Sequence, residues 1–388
     1  MFAVFLIILL LIVLAILLYD FVPDFLNWFL RIKIGNSADF EQWTDSIKQV
    51  NIRWLANGAP KVPKNENQRL KLVKTLKDIK KQSPICYWQD AALLKGVSAS
   101  DGDTEKEAAQ KLIERYIDIR TGEWKKTPEK ADAAIIAYEI LSSGLADAED
   151  IRPAMKYMAD MLKEQSELYG TVPYNTDIPD IRFVDTVGMI GPFLIKYGAE
   201  YDCPEYIEIA LKQIAQYQKY GFSKDMKLPF HCFNAETEAQ LGICGWGRGC
   251  GWWAVGIADS LKELLKCDGF DKEKKFLLKL NIGFLEELQK YINESGAVNR
   301  MMLNPSLPDS SASAMAAYSF SYMYRLTDKE EYRGIAEKIF SFLKKATRRN
   351  GVIDYSQGDT MGIGYYSSTF SVVPAAQGFT AAALDLLY

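Results

Sequence analysis

Trp246-Gly-Arg248-Gly-Cys250-Gly-Trp252-Trp253 runs straight into a strongly amphipathic stretch, Ala254 to Leu265. Three tryptophans and an arginine are set among three glycines, at the end of a long irregular segment. Gly247, Gly249 and Gly251 carry no side chains, so they bend easily and let another molecule come close to the backbone. The indoles offer flat apolar faces with an N–H at the edge. Arg248 offers a planar fork of donors suited to a carboxylate or phosphate. Flat faces beside an anion clamp are what a site for an acidic sugar needs. The other reading is that Trp252 and Trp253 open a helix and bury in a core, with the glycines turning the chain into it.

Outward from this stretch, from about Phe40 onward, the rhythm is helical almost throughout. Apolar residues at three- and four-residue spacing predict helices over Phe40–Leu55, Gln68–Lys81, Gln89–Lys95, Thr104–Ile119, Ala131–Ser143, Ile151–Tyr169 and Asp185–Tyr197. Others follow over Pro204–Tyr220, Trp252–Cys267, Lys272–Ile292, Ser311–Leu326, Glu331–Thr347 and Pro374–Leu387. Alternating strands are scarce, so the fold class is all-α. About a dozen helices make roughly six hairpins, and no tight repeat of the tetratricopeptide or HEAT kind is present. A toroid of paired helices suits this count better than a solenoid. The small-residue run Ser311 to Ala317 fits an inner helix that packs closely around an axis. Four connections, Gly170–Arg182, Gly221–Gly251, Glu294–Ser310 and Asn350–Ser371, are too long for turns and are rich in aromatic and charged residues. They read as ordered loops along one rim.

The chain starts differently. Met1 to Tyr19 is apolar without a break, within the ~17–25 residues that span a hydrocarbon core. A basic start and a small-residue cleavage site, the marks of a cleaved signal peptide, are absent. The expectation is a transmembrane anchor over residues 1–20, then an amphipathic juxtamembrane segment over 21–39, with Trp28 at headgroup level. A helical domain over 40–388 completes the chain. Arg31, Lys33, Lys48 and Arg53 all follow the span, which by the positive-inside rule places that domain in the cytoplasm.

Composition removes several chemistries. Net charge is −4 with both signs interspersed, so there is no basic footprint for nucleic acid. His231 is the single histidine, which rules out an H-E-x-x-H site or any multi-histidine metal centre. No pair among the six cysteines has C-x-x-C spacing. They read as buried free thiols, a Cys244–Cys250 bridge being the lesser alternative.

The candidates for chemistry are two aspartates at helix starts. Asp185 follows a long loop and opens the apolar run Thr186 to Leu194. It is either a helix cap or an acid whose pKa is raised by Phe183, Val184, Val187 and Met189. Asp132, in Pro128-Glu-Lys-Ala-Asp132, admits the same two readings. A pair of carboxylates at inner helix ends is the minimum equipment for acid/base work on a glycosidic bond. His231, between Phe230 and Cys232, is either a hydrogen-bonder or a catalytic group. Tyr174, Asp309-Ser310-Ser311, Tyr87 and Trp88 are further candidates.

These residues resemble the unsaturated glucuronyl and rhamnogalacturonyl hydrolases, glycoside hydrolase families 88 and 105. Trp246-x-Arg248-x-x-x-Trp252 is similar to a W-G-R-G-N-G-W element, with Cys250 in place of the usual asparagine. Phe183-Val-Asp185-Thr-Val-Gly-Met189 is similar to the segment bearing the catalytic aspartate. Asp132 falls where the second active-site aspartate stands, Asp309-Ser-Ser-Ala312 resembles an E-T-S-A/G segment, and Gln377-Gly378 the closing helix start. Tyr174 stands where the family often has histidine, and the loop bearing His231 does not match clearly.

The resemblance implies an (α/α)6 barrel and no metal or organic cofactor. It also implies an acidic oligosaccharide substrate whose non-reducing end is a 4,5-unsaturated uronic acid. Asp185 would be the general acid and base, assisted by Asp132, which would hold up its pKa by like charge. Arg248 would pair with the uronate carboxylate, Trp246 and Trp252 would line the ring, and His231 and Tyr174 would touch substrate. Three alternatives remain at this point: an ordinary glycosidase, a polysaccharide lyase, or a membrane-tethered sugar-binding protein without turnover.

Overall fold

The computed structural model describes residues 2–36, 39–62, 87–98, 100–304, 307–360 and 362–388. The helix expected over Gln68–Lys81, and Cys86, lie outside the described residues. In chain order the described helices are α1 (Phe2–Arg31), α2 (Phe40–Asn57), α3 (Tyr87–Lys95), α4 (Asp103–Tyr116), α5 (Ala134–Ser143), α6 (Arg152–Ser166) and α7 (Asp185–Glu200). They continue with α8 (Pro204–Tyr220), α9 (Gly247–Leu264), α10 (Asp271–Leu288), α11 (Ser310–Thr327), α12 (Glu330–Lys345) and α13 (Pro374–Leu387).

From α2 onward the helices alternate between two concentric layers. In the inner layer α3 packs on α5, α5 on α7, α7 on α9, α9 on α11, α11 on α13, and α13 returns to α3, closing the ring. The sequence explains the division. On α11 every residue from Ser310 to Met323 is buried, including the small-residue run. Outer α12 buries only one stripe, Tyr332, Ala336, Ile339, Phe340, Phe342 and Leu343, and turns its lysines and glutamates to solvent.

The inner layer is tight because glycines sit where its helices touch. A Cβ on Gly256 would lie 2.7 Å from the Val187 carbonyl of α7, and one on Gly251 would lie 2.9 Å from Met315 Sδ of α11. Helix α9 itself begins at Gly247, five residues before the predicted Trp252. The glycines of the tryptophan stretch therefore belong to the helix, and they admit neighbouring protein rather than a ligand. A Cβ on Gly247 would lie 2.3 Å from Asn299 O, and one on Gly249 2.7 Å from the Trp246 ring.

A buried polar knot ties the ring across its axis. Lys95 Nζ of α3 lies 2.8 Å from Glu139 Oε1 of α5 and 2.9 Å from Asp259 Oδ2 of α9. Tyr318 of α11 donates to Asp259 Oδ1 at 2.5 Å. All four side chains are buried.

The long connections, read as ordered loops, carry short strands within a mainly helical domain. Strands β1 (Ile117–Asp118) and β2 (Glu123–Trp124) form a small hairpin. The strands β3 (Ile181–Phe183), β4 (Phe230–Asn234) and β5 (Gln240–Cys244) form an antiparallel sheet in that order. Strands β6 (Ser356–Gln357) and β7 (Phe370–Ser371) pair as well. Cross-links join these loops on one rim, at the N-terminal ends of the inner helices. Trp246 bridges Met301, Val184 N donates to His231 O, and Ser310 N donates to Tyr355 O. The described cysteines, Cys203, Cys232, Cys244, Cys250 and Cys267, are free thiols, so Cys244 and Cys250 are not bridged.

Helix α1 runs unbroken from Phe2 to Arg31 with Pro23 inside it, so residues 21–31 continue the helix of the apolar start. Its most apolar window has a mean hydropathy of 3.4, and none of that window is buried. At 1.5 Å per residue the helix is about 45 Å long.

Candidate active site

A cavity of about 430 Å³ opens on the loop-bearing rim. Its walls are Trp88, Lys130, Tyr174, Asn175, Ile178, Phe183, Asp185, Met189, His231, Trp246, Arg248, Trp252, Asp359, Thr360, Gly362 and Ile363. The six candidates Asp185, Trp246, Arg248, Trp252, His231 and Tyr174 thus meet in one place, from two connections and two inner helices.

Asp185 is the first residue of α7, and it is not a cap. Val184 holds the cap position, and no side chain there bonds the first turn. Asp185 Oδ2 is buried and accepts no hydrogen bond, in a side chain only 16% exposed. Burial pushes its carboxyl up to about 7, opposed by the Arg248 charge and reinforced by Asp359. The like charge beside it is therefore Asp359, not Asp132 as the sequence suggested. Phe183 and Met189 do wall the cavity beside it.

His231, on β4, presents Nε2 to Asp185 Oδ2 at 3.7 Å and Nδ1 to the Tyr366 hydroxyl at 2.9 Å. That hydroxyl also accepts the Ile243 N–H at 3.0 Å. Its own proton is then free to go to Nδ1, which leaves the imidazole proton on Nε2, facing Asp185. Burial, helped by the Arg248 charge, lowers His231 to about 4, so the ring is neutral at ordinary pH. Its faces are held by Trp246 at 4.7 Å and Phe183 at 5.1 Å. Tyr366 is the partner the sequence did not reveal, since 135 positions separate it from His231.

Arg248 is buried between Trp246 and Trp88, whose ring centres lie 5.3 and 5.6 Å from its guanidinium carbon. Its fork is engaged within the protein: Nη1 donates to Gln357 O at 2.6 Å and Nη2 to Gly358 O at 2.9 Å. The acceptors are neutral carbonyls, so the cation keeps its charge without a carboxylate and gives the cavity a positive wall. Trp246 Nε1 donates to Gln357 Oε1 at 2.8 Å. Trp252 meets Trp88 edge to face at 5.6 Å.

The remaining candidates fall into two groups. Tyr174 lines the cavity and packs on Phe183 at 5.6 Å. Asp132 sits in a 310 turn, Ala131–Ala133, whose cap position makes no side-chain hydrogen bond. Its Oδ1 is buried without a hydrogen bond, and burial pushes the carboxyl up to about 6. It is not among the cavity walls, although its charge is felt by neighbouring Tyr87. Asp309 is scaffolding: its Oδ1 caps α11 through Ser311 N and also accepts Gln357 N at 3.1 Å. Gln377 likewise serves the fold, donating to Ile47 O and Gly351 O. Lys130, Asn175, Asp359 and Thr360 were missed. Only the glycine-spaced Gly358-Asp-Thr-Met-Gly-Ile-Gly364 run offered a signal for the last two.

The family model for Glycosyl Hydrolase Family 88 matches residues 58–384. The chain belongs to that family. Among curated proteins, the unsaturated rhamnogalacturonyl hydrolase YesR of Bacillus subtilis is 21% identical over 182 residues, 45% of this chain. The chain spans about half the length of that relative, 53%. A possible family 105 member from Klebsiella pneumoniae superposes with a TM-score of 0.72 at 15% identity, covering 90% of this chain and 94% of the other. The unsaturated glucuronyl hydrolase of Bacillus sp. GL1 gives 0.62 at 15% identity, covering 89% and 96%. Those likenesses establish that the family 88 chain has the six-hairpin fold. Cys250, its departure in the tryptophan element, is fully buried and outside the cavity wall.

Proposed function

We propose that this family 88 protein removes a 4,5-unsaturated uronic acid from the non-reducing end of lyase-generated oligosaccharides. Asp185 gives its proton to C4 of the ring's vinyl ether, and water adds at C5 as Asp185 takes a proton back. The resulting hemiketal opens and expels the neighbouring sugar, so the net change is addition of one water. Trp246 and Trp252 flank the ring, and Arg248 attracts the uronate by its field rather than by its engaged fork. His231 offers its Nε2 proton next to Asp185, and Asp132 supports the site from behind Tyr87. Tyr174, Lys130 and Asn175 also border a second cavity of about 250 Å³, where the departing sugar fits.

One observation carries this reading: a carboxyl poised near neutrality, with an oxygen that no protein group satisfies, in a cleft of indoles and two cations, Arg248 and Lys130. Helix α1 is read as an uncleaved membrane anchor, with the barrel on the cytoplasmic side by the charge rule. The test is loss of the unsaturated uronide's ultraviolet absorbance with a panel of lyase products. Wild type is expected to consume at least one of them, and Asp185→Asn to lower kcat by about 10³-fold or more with its helical content unchanged. Retained turnover in that variant would sink the assignment.

A further inference from the structure

The apolar helix α1 does not simply hang from the barrel. Its last residue, Arg31, grips Asp354 with both arms of its fork, Nε to Oδ2 at 2.7 Å and Nη2 to Oδ1 at 2.8 Å. Nη2 also donates to Phe370 O at 3.0 Å. Asp354 is fully buried and shares Oδ2 with Arg348 at 2.7 Å. Burial would raise its carboxyl, but the Arg31 hydrogen bond and the Arg348 charge hold it below its ordinary value. Beyond the latch, Gly35 N donates to Thr347 O at 2.8 Å, so the chain stays on the same loop as it leaves the helix.

What Arg31 holds leads into a wall of the cleft, the segment with Asp359 and Thr360. Asp354 immediately precedes Tyr355, a non-glycine residue in the left-handed region at φ 61°. Strand β6 follows, paired to β7, so Arg31 touches the approaches to both strands through Asp354 and Phe370. Gln357 and Gly358 then supply the carbonyls that fix Arg248, and Gln357 the amide that fixes Trp246.

We propose that Arg31 is a positioning residue for the active site: the end of the apolar helix latches the segment that orients Arg248 and Trp246. Anchor and cleft are thus one mechanical unit. The kinetic part of this inference rests on the reading under Proposed function, and the structural part does not.

The experiment uses the full chain in detergent micelles, as wild type, Arg31→Ala and Arg31→Lys. Amide hydrogen exchange is read over Ser356–Gly358 and Thr369–Ser371, and KM and kcat are measured on the unsaturated oligosaccharide that wild type consumes. In Arg31→Ala those amides are expected to exchange about tenfold faster while α9 and α11 keep their protection. KM should rise about threefold or more with kcat within about twofold. Lysine keeps the charge but loses the fork, so it should recover part of both effects. Unchanged exchange over the two strands overturns the proposal, and so does loosening spread evenly over the barrel, which would mark a merely structural contact. An unchanged KM beside faster exchange overturns the link to the cleft. If wild type consumes no unsaturated oligosaccharide, the functional reading falls and the exchange data alone decide the latch.

Discussion

A carboxyl that ionises near 7 in the fold and near its ordinary 3.8 in the unfolded chain must leave two marks. The first is kinetic. If Asp185 acts as an acid, kcat/KM should be level below about pH 6 and fall about tenfold per unit above 7. His231, lowered to about 4, stays neutral from pH 5 to 8 and should add no inflection there. The second mark is on stability. Because the folded pKa is raised, the contribution of this group is complete below the unfolded value and is lost as pH rises through 7. Asp185→Asn should therefore be more stable to unfolding than wild type at pH 8, by at most about 4 kcal/mol. The gap should close by pH 4, and a denaturation series across that range measures it.

Much of this residue-level picture was legible. Asp185 stood out as an aspartate after a long loop and before an apolar helix, but a cap and an acid occupy the same place in a sequence. What separates them is that Val184, not Asp185, holds the cap position and no side chain bonds the first turn. Arg248 was legible as a cation and not as an engaged one, because the carbonyls that hold its fork come from more than 100 positions away. Tyr366 was invisible for the same reason: a hydroxyl's partner is a property of three dimensions.

Among the elements, helices of three or more turns announced themselves through their period, and most of their ends fall within a few residues of expectation. The start of α9 did not, because glycine argues against a helix in isolation while close packing against α7 and α11 demands it. Strands of two and three residues are too short to show an alternation. Gly256→Ala tests the packing argument. Its new methyl would lie 2.7 Å from the Val187 carbonyl, backbone that cannot yield without moving α7. The variant should lose about 1–3 kcal/mol in chemical denaturation, despite alanine's better helix propensity. A gain in stability would show that the helices have room.

For the whole molecule, the helix count and the family resemblance pointed to a closed toroid, and α13 does return to α3, but the knot at its axis could not be read from the chain. Lys95, Glu139, Asp259 and Tyr318 are scattered singly through four apolar helices, where each looks like a surface residue out of place. Replacing Lys95 by Met leaves two buried carboxylates without their cation. The expected cost is about 3–5 kcal/mol near neutral pH. It should shrink toward pH 5, because burial raises Glu139 to about 7 and its protonation then removes one uncompensated charge. A thermal melt of the Lys95→Met variant at both values checks the size and the sign.

The place where α1 departs has a consequence for traffic. Helix α1 ends against the loop that builds one side of the mouth, not at the far end of the ring. Were α1 to sit in a bilayer, as proposed, that membrane would be tied to the loop side of the ring, and sugar chains would meet the cleft close to its surface.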